Sequence, residues 1–118
     1  MDLEKTMFGF GKGKAHKEIG PAALQKMLAE GSVVLVDVRE PGEYAGERIA
    51  GAINMPLSTF DPAQVPHPGD KTVVLQCAGG KRSGMALDKC GAAQAAIDTH
   101  LAGGIGAWKA AGLPVQRG

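Results

Sequence analysis

Two short, largely apolar runs constrain this chain more than any other feature. Val33 to Val38 reads VVLVDV, interrupted only by Asp37, and Thr72 to Gln76 reads TVVLQ. Neither run alternates apolar with polar residues, so neither suits a sheet with one wet face. The first reads as a strand buried on both faces, as in a parallel sheet, and the second as another strong strand. Parallel strands need long crossovers, and the residues between and around them supply these. Pro21 suits the first position of a helix, Leu24, Met27 and Leu28 share one face at helical spacing, and Gly31 caps the C-terminus. Lys17 to Ile19 is a short edge strand. Pro41 opens a helical turn through Tyr44, and Ala52 to Met55 is another short strand. Residues 58–70 contain Pro62, Pro66 and Pro68, which predicts an irregular connection with at most one helical turn. A helix is expected from about Ser83, with Met85, Ala86, Leu87 and Cys90 as its apolar residues. Ile97 to Leu101 is a further strand, Gly103-Gly104 a turn, and Ile105 to Ala111 a short helix closed by Gly112 and Pro114. Strands alternate with helices throughout. The expectation is an α/β fold: a parallel central sheet of about five strands with helices on both faces.

The 118 residues suit one domain, expected over residues 16–118. Residues 1–15 read as a flexible leader, in which Gly9, Gly11 and Gly13 alternate with Phe8, Phe10, Lys12 and Lys14. A docking arm using those phenylalanines and lysines is the alternative. With aromatics at only 4%, the core must be built from aliphatic residues. The net charge of +1 lacks the basic surplus of a nucleic-acid binder. No apolar run approaches the length of a membrane span, and the N-terminus carries no secretory pattern. A cytoplasmic home with no membrane partner is the expectation.

Cys77 and Cys90 are too few for a disulfide framework. With a helix from Ser83, Cys90 would lie roughly 10 Å along its axis, too far for an easy bond to the preceding loop. His16, His67 and His100 show no metal-ligand spacing with either cysteine, so no metal and no cofactor are expected.

The chemistry concentrates in Cys77-Ala78-Gly79-Gly80-Lys81-Arg82-Ser83, where strand, cysteine, glycine turn and helix follow without a gap. Such glycines let successive N–H groups turn inward as an anion-binding nest, and the helix adds the positive end of its dipole. A cysteine at the mouth of that nest should be held as thiolate, with no histidine needed as base. Lys81 and Arg82 add positive charge at the rim. Alone, a cysteine at a strand end is an ordinary small hydrophobe and a glycine pair an ordinary turn. The combination points to a site for a small dianion and a negatively charged sulfur.

The Cys-x-x-Gly-x-Arg-Ser loop resembles the active-site loop of rhodanese domains. Val36-Asp37-Val38-Arg39-Glu40-Pro41-Gly42-Glu43-Tyr44, Gly51-Ala52-Ile53-Asn54-Met55-Pro56-Leu57 and the segment from Leu101 to Val115 are similar to three further signatures of that family. The resemblance runs from about Ile19 to Gln116 and implies a rhodanese-like fold. It implies that Cys77 is a nucleophile that carries sulfur as a persulfide. The amides from Ala78 to Ser83 would cradle that sulfur, and Lys81 and Arg82 would help bind the donor anion. Asp37 and Arg39 would support the site by organising the neighbouring loop, as an ion pair with each other or with Glu43. The implied activity is transfer of a sulfane sulfur from a donor such as thiosulfate to cyanide or a thiol. The alternative is a relay to an acceptor protein.

Where many family members have a His-Ile-Pro-Gly-Ala segment, this chain has Arg48-Ile49-Ala50-Gly51-Ala52, with Arg48 expected to be solvated. Cys90 is expected in the core. A phosphatase or arsenate reductase of the related cell-cycle phosphatase fold is the rival reading. Its loop is one residue longer than the Ala78 to Lys81 stretch between Cys77 and Arg82 here. The shorter loop suits a single sulfur atom better than a tetrahedral oxyanion.

Overall fold

The computed structural model describes residues 16–118, and the expected leader, residues 1–15, lies outside them. Five strands form one wholly parallel sheet: β1 (Lys17–Ile19), β2 (Val33–Asp37), β4 (Ile53–Asn54), β5 (Thr72–Gln76) and β6 (Thr99–Leu101). Their order is β1-β6-β5-β2-β4. The two apolar runs pair with each other from Val33↔Thr72 to Asp37↔Gln76. They hold the interior of the sheet, as their lack of alternation requires.

Helix α1 (Pro21–Glu30) and helix α4 (Gly104–Ala110) cover one face, and helix α3 (Lys81–Ala92) covers the other. Leu24, Leu35, Val74, Leu101, Ile105 and Trp108 form the core on the α1/α4 side. Val36, Val73, Leu75, Cys77, Ala86, Leu87 and Cys90 form the core on the α3 side. Each fully buried aliphatic side chain contributes about 1.5–3 kcal/mol. Gly31 closes α1 in the left-handed conformation, with its N–H on the carbonyls of Met27 and Leu28, as a C-cap glycine should.

Four expectations need correction. Helix α2 (Pro41–Gly46) outlasts Tyr44. The proline-rich connection holds two turns of 3-10 helix, Leu57–Thr59 and Pro62–Gln64, not one. The second starts where the Asp61 side chain accepts from the Ala63 N–H. Helix α3 starts at Lys81, two residues before Ser83, because Gly80 turns the chain with φ +108°. Cys90 therefore lies about 14 Å along the axis. Strands β3 (Glu47–Arg48) and β7 (Gln116–Arg117) form a small antiparallel pair that no sequence signal announced. Glu47 meets both Lys109 and Arg117 there. Among the described residues no helix is long and apolar enough to cross a membrane.

Candidate active site

Every strand of the main sheet runs the same way, so their C-terminal ends share one edge, where ligands of such sheets bind. Cys77 follows the last residue of β5, the middle strand. The loop after it is clamped from behind. The Ile105 N–H donates to the Cys77 carbonyl (2.8 Å), and the Gly106 N–H donates to the Ala78 carbonyl (3.0 Å). Satisfying those carbonyls away from the sulfur leaves the loop's N–H groups free to face it. Gly104 makes the clamp possible. A Cβ there would stand 2.2 Å from the Cys77 carbonyl oxygen, at φ +60°.

The Gly80 N–H donates to Cys77 Sγ at 3.0 Å, and Sγ lies 3.5 Å from Ser83 Oγ. Burial alone would push the thiol up. The hydrogen bond between Sγ and the Ser83 hydroxyl, with those from the backbone N–H groups of Ser83, Gly80 and Gly79, outweighs it and holds the thiol below its ordinary value. This is the third of the physical causes of such shifts, hydrogen bonding to the charged form, overcoming desolvation. Cys77 lies on the floor of the loop, 1% exposed, and not at its mouth. Ala78 and Gly79 are exposed above the strand end.

The two cations of the loop stand in different surroundings. Lys81 is exposed and, among the described residues, its side chain has no partner. Arg82 forms a bidentate pair with Glu43 (2.7 and 3.0 Å), so part of its charge is already answered within the fold. Arg82 holds the Glu43 carboxyl down at about 2 against an opposing push from burial.

Asp37 and Arg39 pair with each other and not with Glu43. Arg39 Nη2 lies 2.7 Å from Asp37 Oδ2, with both side chains buried, and donates also to the Glu47 carbonyl. Asn54 Nδ2 donates to the carbonyls of Asp37 and Arg39. This network anchors the stretch between β2 and α2, and α2 carries Glu43 toward Arg82. Neither Asp37 nor Arg39 is hydrogen-bonded to Cys77. Arg48 is half-buried: it lies over the Tyr44 ring (5.4 Å) and donates to the Tyr44 carbonyl. Cys90 is fully buried on the α3 side, and burial pushes its thiol up to about 11.

Sequence reasoning missed His100. It is buried, and its Nδ1 lies 2.8 Å from Ser83 Oγ. One signal was available. A histidine inside a buried strand, with a single residue of freedom in its register, must face one of the two cores.

Fold and site together define a parallel α/β domain whose middle strand delivers a cysteine into a ring of backbone amides. Residues 20–111 match the family described as the Rhodanese-like domain, and the chain belongs to that family. An uncharacterized protein of Synechocystis sp. is 47% identical over 99 residues, which are 84% of this chain and 55% of that protein. A sulfurtransferase of Allochromatium vinosum is 34% identical over 99 residues, covering 83% of this chain and 92% of the relative. The crystal structure of a rhodanese-related protein from Thermoplasma volcanium superposes with a TM-score of 0.72 at 30% identity, covering 86% of this chain and 98% of that one. The chain spans about half the length of some curated relatives, 55% and 47% of two of them.

Proposed function

We propose that this domain is a sulfurtransferase that takes a sulfane sulfur from a donor such as thiosulfate onto Cys77. The observation that carries the reading is the Gly80 N–H donating to Cys77 Sγ at 3.0 Å, reinforced by the other amides that depress the thiol. The thiolate attacks the outer sulfur of thiosulfate. A new S–S bond forms, the bond between the two thiosulfate sulfurs breaks, and sulfite leaves with its electron pair. An acceptor thiolate or cyanide then attacks the outer sulfur of the persulfide, and the Cys77 thiolate leaves. Negative charge sits on sulfur before and after each step, so fixed N–H dipoles serve both half-reactions. Lys81 and the Arg82–Glu43 pair border the approach of the donor. Asp37 and Arg39 act by holding the neighbouring loop.

Because Cys77 is only 1% exposed, the residues that enclose it must give way for a donor to reach Sγ. The domain acts from within the cell, and its acceptor is a small thiol, cyanide or a protein thiol. Intact-mass spectrometry after thiosulfate treatment tests the reading. Wild type should gain the mass of one sulfur atom, and Cys77→Ser should gain none. Absence of the gain in wild type, or release of phosphate from an aryl phosphate, would defeat it. Initial-rate lines should be parallel, as a double displacement requires.

A further inference from the structure

We propose that His100 is a positioning residue for Cys77, acting through the Ser83 hydroxyl as a proton relay that runs Cys77–Ser83–His100–Glu18. The proposal concerns the thiol and so rests only in part on the sulfur-transfer reading above. The register Leu75↔His100 turns the imidazole to the α3 face, the face that also receives Leu75 and Cys77. Its Nδ1 lies 2.8 Å from Ser83 Oγ, and the same oxygen lies 3.5 Å from Cys77 Sγ. Its Nε2 lies 3.3 Å from Glu18 Oε2 on β1.

These contacts favour one tautomer. The Glu18 carboxylate only accepts, so the neutral ring carries its proton on Nε2 and leaves Nδ1 as an acceptor. Ser83 has one proton. It goes to Nδ1 at 2.8 Å in preference to the Gly80 carbonyl at 3.2 Å. The Ser83 oxygen then offers Sγ only lone pairs, which suits S–H. Protonating His100 reverses this. Nδ1–H donates to Ser83 Oγ, and the Ser83 proton is released to donate to a sulfur anion. In one concerted shift the Cys77 proton passes to Ser83 Oγ while the Ser83 proton passes to Nδ1. No proton or electron is gained or lost, and a thiol–imidazole pair becomes a thiolate–imidazolium pair. When the Cys77 sulfur leaves with the electron pair of a broken S–S bond, the same Ser83 O–H is aimed at it.

The charged and titratable groups around His100 come from three elements. Glu18 on β1 favours the imidazolium. His16, ahead of β1, presents its ring edge-on at 5.9 Å and is itself paired with Asp88 of α3. Cys77 follows β5. Burial, with His16, holds the imidazole below its ordinary value against the pull of Glu18.

Two titrations test the coupling. The first follows the alkylation rate of Cys77 by iodoacetamide against pH, read at the Cys77 peptide by mass spectrometry. It compares wild type with His100→Asn, which keeps a hydrogen-bonding group near Nδ1 but cannot titrate. The second follows the His100 ring by NMR in wild type and in Cys77→Ser, where His100 itself is untouched. We expect the Cys77 inflection to move up by about one pH unit in His100→Asn. By reciprocity, the His100 midpoint should fall by a similar amount in Cys77→Ser. Unchanged profiles in both comparisons overturn the relay. Both titrations use the unloaded protein. A wild type that fails to gain sulfur from thiosulfate therefore defeats the sulfurtransferase reading and leaves the relay standing, and the converse holds.

Discussion

Substituting the buried Gly104 by Ala should destabilise the domain far more than the same change at an open left-handed glycine such as Gly112. Two costs add. At φ +60° any Cβ meets the following carbonyl, at about 1–2 kcal/mol. Beyond that, the Cβ would lie 2.2 Å from the Cys77 carbonyl oxygen and 2.7 Å from the Ala78 carbonyl carbon. These are backbone atoms, so no rotamer relieves the clash. The loop must lift from α4 and break the Ile105 and Gly106 N–H bonds to the Cys77 and Ala78 carbonyls, at about 1 kcal/mol each. The sum is about 3–4 kcal/mol, a large share of the roughly 5–15 kcal/mol of a small domain. Gly112 is the internal control. It has φ +80° and nothing within 4 Å of an added Cβ, so Gly112→Ala should cost only the conformational part, about 1–2 kcal/mol. Urea unfolding followed by circular dichroism measures both variants at equal m-value. If the two lose stability equally, the contact between α4 and the cysteine loop is not what that glycine protects.

Three further outcomes follow from the geometry. Glu43 has a depressed folded pKa of about 2 against 4.5, so its stabilisation is complete above pH 4.5 and disappears as pH falls toward 2. With 40% of the Glu43 side chain exposed, solvent screening limits it to about 1 kcal/mol. Glu43→Gln should therefore flatten the loss of stability between those pH values, and an identical acid limb in the variant would count against the pair. The two thiols should separate cleanly in alkylation at neutral pH, since Cys77 is held low and Cys90 is pushed up to about 11. Peptide mapping should show Cys77 labelled on the order of a hundredfold faster, and equal labelling would contradict both environments. Gln76 is buried, and neither its Nε2 nor its Oε1 has a hydrogen-bond partner among the described residues. Gln76→Met should raise the thermal midpoint, by about 1 kcal/mol of stability, whereas a fall would mean the amide is satisfied.

The sheet was legible because its signal is dense. Five consecutive residues from Thr72 to Gln76, and the run that begins at Val33, have no reading except as strands covered on both sides, and they are paired in the structure over their whole length. Pro21 and Gly31 bracket α1 because each has a backbone reason to stand at that end of a helix. Pairs of two residues, such as Glu47-Arg48 with Gln116-Arg117, carry no period at all. They exist because the segment after α4 folds back beside the end of α2, and Glu47 then answers Lys109 and Arg117. The start of α3 was read late because Lys81 and Arg82 look like rim residues. Gly80 at φ +108° already aims them into the first turn.

The site divides along the same line between local and long-range causes. A cysteine between a strand and Gly79-Gly80 is a local statement about backbone conformation, and the Gly80 N–H on Sγ follows from it. Charge at the rim is not local. Lys81 and Arg82 look equivalent in sequence, yet an acid 39 positions away on α2 takes Arg82 and leaves Lys81 to solvent. The same holds for His100, 17 positions from Ser83 and brought to it only because β6 lies beside β5. The electrostatics of Cys77 therefore have two sources. The amides are encoded within seven residues, from Cys77 to Ser83. The groups that hold the loop's far side chains, Glu43 on Arg82 and His100 on Ser83, are delivered from distant parts of the chain by the fold.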